Sequence, residues 1–60
     1  MKLKLYLNGK RITQKKAIEL VGDERFNRLL ADAKDVFFKD PFVEISFFIG
    51  GDKILNFEFE

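Results

Sequence analysis

The chain has 60 residues, 11 basic and 10 acidic side chains, and neither Cys nor His. A chain this short is one domain, residues 1–60, and it buries only about 60% of the surface that its unfolded form exposes. The missing Cys and His exclude disulfides, thiolate nucleophiles, imidazole bases and the usual zinc sites, and the net charge of +1 argues against wholesale attraction to nucleic acid or an anionic membrane.

Leu3, Leu5 and Leu7 alternate with Lys2, Lys4 and Tyr6, which is the period of a half-buried strand over residues 2–7. Asn8-Gly9 follows, a strong turn dipeptide. It opens onto Lys10-Arg11-Ile12, a return arm too short to count as a strand, so the stretch reads as a turn leading to a helix. Thr13 is placed to cap that helix, whose residues Ala17, Leu20 and Val21 share one face. Gly22 sits where a left-handed C-terminal residue would stop it. Asp23 is then the expected cap of a longer helix. Phe26, Leu29, Leu30, Ala33 and Phe37 give that helix a core-facing stripe, and Arg28 and Asp32 are four apart on its outer side. Phe38 falls off the stripe. Asp40-Pro41 ends the helix.

Val43, Ile45, Phe47 and Ile49 alternate with Glu44, Ser46 and Phe48, a second strand. Gly50-Gly51-Asp52 reads as a three-residue hairpin loop. Ile54 to Glu60 is a third strand with Leu55, Phe57 and Phe59 inward. Run antiparallel to the start of the chain, this last strand sets Leu3 against Phe59 and Leu5 against Phe57 on one face. On the other face it sets Lys2 against Glu60, Lys4 against Glu58 and Tyr6 against Asn56. The expected fold is α+β with the order β-α-α-β-β. Its sheet has three strands in the order 1-3-2, the last strand lying centrally, and two helices cover one face.

Catalytic chemistry is hard to build from this inventory, and no enzyme is expected. Ser46 is the only Ser, mid-strand and without a local base. Asp32 and Asp35 could share a cation on one helix face, but hard-cation sites need more oxygen ligands than two carboxylates supply. Gly50-Gly51-Asp52 lacks the lysine and helix of a phosphate-binding loop. No cofactor, metal or small-molecule substrate follows from these residues.

Two surfaces remain. The uncovered sheet face carries Tyr6, Phe48 and Ile54, an aromatic and aliphatic cluster of the kind enriched in interface cores. It points to a homodimer or to another protein partner, with Lys2, Lys4, Glu44, Glu58 and Glu60 as a charged rim. The strand from Val43 to Ile49 offers a further edge for pairing. The second surface is basic. Residues 1–28 hold eight basic and three acidic side chains, a net of +5, and residues 29–60 hold three basic and seven acidic, a net of −4. Lys10, Arg11, Lys15 and Lys16 cluster at a turn and a helix start, where they could contact a nucleic-acid backbone. Lys2 and Lys4 interrupt any leader-like apolar run, and no stretch approaches the ~20 apolar residues of a membrane span. A cytoplasmic protein without membrane contact is expected.

The run Leu7-Asn8-Gly9-Lys10-Arg11-Ile12-Thr13-Gln14-Lys15-Lys16-Ala17, with Val21-Gly22-Asp23-Glu24-Arg25-Phe26, Asp40-Pro41 and Ser46-Phe47-Phe48, resembles short proteins encoded on mobile elements of Gram-positive bacteria. The resemblance implies a bacterial accessory protein. It carries no activity and no functional residue.

Overall fold

The computed structural model describes residues 2–60. In chain order the elements are β1 (Leu3–Leu7), β2 (Lys10–Ile12), α1 (Gln14–Val21), α2 (Asp23–Lys39), β3 (Ile45–Gly50) and β4 (Lys53–Phe59). The strands form one sheet in the order β2-β1-β4-β3, with each neighbouring pair antiparallel. The α+β class and the central place of the last strand match the sequence. The strand count does not: the sheet has four strands, because Lys10-Arg11-Ile12 returns beside β1 as β2.

The reason lies in Asn8-Gly9. Both residues have positive φ, 49° and 85°, which is the type I′ geometry that suits the twist of a two-residue hairpin. Once the turn takes that form, Lys10 falls opposite Leu7, Arg11 opposite Tyr6 and Ile12 opposite Leu5. A second hydrogen-bond set ties the same turn to β4. The Asn8 amide donates to the Ile54 carbonyl at 2.9 Å, and the Ile54 amide donates to Asn8 Oδ1 at 2.8 Å. The Asn8 side chain thus stands in for the backbone carbonyl that the turn has rotated away.

The register between β1 and β4 runs Leu3–Phe59, Lys4–Glu58, Leu5–Phe57 and Tyr6–Asn56, as the alternation requires. The hairpin between β3 and β4 pairs Ile45 with Phe57, Phe47 with Leu55 and Phe48 with Ile54. Its loop is shorter than the expected three residues. Gly50 pairs with Lys53, and a bulge at Ile49 absorbs the extra residue. Val43 lies outside β3 and is exposed. The chain there is held in a turn: the Phe42 amide donates to Asp40 Oδ1 at 3.1 Å, and the Val43 amide to the Asp40 carbonyl at 3.3 Å.

Both helices lie on the odd-numbered face of the sheet. Thr13 caps α1, its Oγ1 accepting from the Lys16 amide at 3.1 Å. Gly22 ends α1 and serves as the N-cap of α2, with φ 90° and ψ 154°. Asp23 is therefore the first residue of α2, not its cap, and there its carboxylate opposes the helix dipole. On α2 the ion pair is Asp35–Lys39, at 3.1 Å, and not Arg28 with Asp32, which the sequence also sets four apart. Leu5, Ala17, Phe26, Ala33, Ile45, Leu55 and Phe57 form the buried core. Phe57 sits at its centre, its ring 5.9 Å from Phe26 and edge-on to Phe47 at 5.5 Å.

Asn8→Gly keeps the turn geometry but removes the acceptor for Ile54, so it is expected to lose about 1 kcal/mol in urea denaturation. Asn8→Ala adds the cost of a left-handed non-glycine residue, a further ~1 kcal/mol. Gly22→Ala is expected to lose about 1–3 kcal/mol from backbone strain alone, since an added Cβ would meet nothing within 4 Å.

Candidate interaction surface

The even-numbered residues of β1, β3 and β4, with Arg11 of β2, form a face that no helix covers. Its rows follow from the register. Ile54 and Phe48 make one row. Arg11, Tyr6, Asn56 and Ser46 cross all four strands in the next. Lys4 and Glu58 form a third, and Lys2 and Glu60 exchange both backbone hydrogen bonds at the far end, at 3.0 and 2.9 Å.

The three expected apolar anchors therefore share one region of this face. Phe48 is 74% exposed. Tyr6 and Ile54 are half-buried, Tyr6 because the Arg11 guanidinium lies 5.9 Å from its ring centroid. Polar bonds surround them. Asn56 Nδ2 donates to Glu44 Oε1 at 2.9 Å. Lys4 pairs with Glu60, not with Glu58 directly opposite. Sheet twist and two long side chains favour that diagonal contact. The hydrogen bond between them raises Lys4 above the ordinary lysine pKa and lowers Glu60 below the ordinary glutamate value.

The basic cluster is divided. Lys10 and Arg11 lie on β2, and Lys15 and Lys16 in the first turn of α1. Arg11 and Lys16 line a groove of 520 Å³ with Leu3, Leu5, Ile12, Thr13 and Gln14, to which Lys10 and Lys15 do not contribute. Asp32 and Asp35 are exposed on α2, and Asp35 is engaged by Lys39. Among the described residues, no three metal-ligating side chains come together. No helix is long and apolar enough to cross a membrane.

Other apolar groups are exposed along the chain that leads into β3. Phe42 is 96% exposed at the tip of the turn before it, and Phe38 is 74% exposed at the end of α2. The sequence signals Phe38 by its place off the helical stripe; Phe42 follows Asp40-Pro41, a turn signal, and carries no periodicity of its own. Arg25 has a role that its sequence position hides. Its Nη1 donates to the Ile49 carbonyl and its Nη2 to the Phe48 carbonyl, both at 3.4 Å. It reaches from the first turn of α2 to the outer edge of β3.

No family model, curated protein or solved structure matches the chain.

Glu60 binds its proton less readily in the folded state, so the pair's contribution is present above the ordinary glutamate pKa and is lost as pH falls through the lowered value. Lys4 has the opposite sign: its contribution is lost as pH rises through its raised value. Carboxyl titration by NMR should place Glu60 below the ordinary range in the wild type and return it there in Lys4→Met. Unchanged titration in Lys4→Met would show that the pair does not form in solution.

Proposed function

We propose that the protein is a non-enzymatic interaction module that self-associates through the β3 side of its open sheet face, in a cytoplasmic, accessory role in bacteria. Phe48 carries this reading. Its ring is mostly exposed on a regular strand, beside Ile54 and one row from Tyr6, where an isolated domain gains nothing from a large aromatic. The face is balanced in charge. Lys2, Lys4 and Arg11 on one half offset Glu44, Glu58 and Glu60 on the other, which suits a protein surface better than a polyanion. The small core supplies a second reason. Phe37, Phe47, Ile49 and Phe59 pack against it but stay partly exposed, and a domain this small is marginal when alone.

Sedimentation at micromolar concentration tests the proposal. The wild type is expected to sediment as a dimer, and Phe48→Lys to shift toward the monomer by at least tenfold in dissociation constant, about 1.4 kcal/mol. A monomeric wild type, or a dimer indifferent to Phe48→Lys, would sink it.

A further inference from the structure

We infer that two copies join edge to edge through β3, in antiparallel register about Phe47, to make one eight-stranded sheet; the inference rests on the self-association proposed above and moves the contact from the open face to the β3 edge, where Phe48 lies across from Ser46 of the second copy.

The hydrogen bonding identifies which backbone groups are free. Lys2 and Glu60 exchange both bonds across β1 and β4. Antiparallel ladders alternate, so the even residues of β4 bond toward β1 and its odd residues toward β3. The Asn8–Ile54 bonds agree with this parity. Phe57 and Leu55 therefore bond to Ile45 and Phe47, their partners in register. Ser46 and Phe48 are left with N–H and C=O groups pointing away from the sheet.

The two edges of the sheet differ in chemistry. The β2 edge is three residues long and carries Lys10 and Arg11, the short, charged form that blocks further pairing. The β3 edge is Ile45-Ser46-Phe47-Phe48-Ile49-Gly50, twice as long and without a charge. Such a segment is a template for another strand. Only Arg25 crosses it among the described residues, at the Phe48 and Ile49 carbonyls, and Phe48 keeps a second lone pair.

The outward groups allow a register in which Ser46 of one copy exchanges hydrogen bonds with Phe48 of the other. Phe47 then opposes its own counterpart on the two-fold axis, and Ile45 opposes Ile49. These are the helix-side residues, all three apolar, so the two cores meet in one layer. Phe47 and Ile49, partly exposed in the single chain, lie in that layer. Glu44 falls opposite Gly50 of the second copy, which carries no side chain to oppose it. The strand is self-complementary in backbone and packing and carries no charge to repel a copy of itself, which names a second copy of this chain as the occupant. The two open faces join into one surface.

Amide hydrogen exchange of the wild type, read across a concentration series, is the direct test. The Ile45 and Phe47 amides face β4 and should be protected at every concentration. The Ser46 and Phe48 amides should gain protection, about tenfold or more, only as the dimer forms. Ser46→Pro removes an outward N–H without touching the β3–β4 ladder, and it should sediment as a folded monomer. A dimer whose Ser46 and Phe48 amides stay unprotected, or a folded Ser46→Pro dimer, overturns the edge geometry and leaves a face-to-face dimer. A monomeric wild type overturns both.

Discussion

The pairing of β1 with β4 is the constraint on which the rest of the molecule depends. It joins the two ends of the described chain at the centre of the sheet, so everything between them must leave and return. The return through β2 stays local, because a type I′ turn needs only Asn8 and Gly9. The return to β3 must cross the sheet, and α1 and α2 make that crossing while covering the odd-numbered face. Parity does the rest. Once Leu5 meets Phe57, Leu3, Leu5 and Leu7 share the helical side with Leu55, Phe57 and Phe59, and Lys4 and Tyr6 share the other with Asn56 and Glu58. A one-residue slip would invert both faces, which is why the Asn8–Ile54 bonds at the end of the ladder matter beyond their small energies.

The same ladder decides where the molecule is unfinished. Central strands are satisfied on both sides, and the two outer strands meet solvent in different ways. β2 is brief and basic. β3 is neutral, aromatic and bounded by exposed Phe42 and Phe48, with one guanidinium across its end. The buried core leaves Phe47 and Ile49 at this border only partly covered. The border is thus where an uncharged strand edge meets solvent, because no fifth strand lies beside it.

Much of this was legible because strand and helix periods are local. The alternation at the two ends predicts every β1–β4 pair, and the helical stripe predicts that Phe26 and Ala33 are buried. Thr13 and Gly22 mark their boundaries through capping and backbone freedom. The missed features are of another kind. Lys10-Arg11-Ile12 is too short to show a period, so its strand character depends on the partner that the turn supplies. Val43 continues the alternation of β3 but is diverted by the Asp40 turn. Lys4 finds Glu60 through twist, which flat register arithmetic omits. The basic cluster falls within seven residues of the chain, yet strand and helix geometry distributes its side chains.

By itself the sequence determined the class of fold, the register of the two end strands and the identity of the buried stripe, because each follows from residues one, two or four places apart. It also determined the scarcity of catalytic groups, which is a matter of inventory. Only the tertiary structure decided that there are four strands, that Arg11 stacks on Tyr6, and that Arg25 reaches the β3 carbonyls. It alone decided which edge is charged and which is bare. Those depend on neighbours across the sheet and on which backbone groups remain after pairing, and no spacing along the chain encodes them.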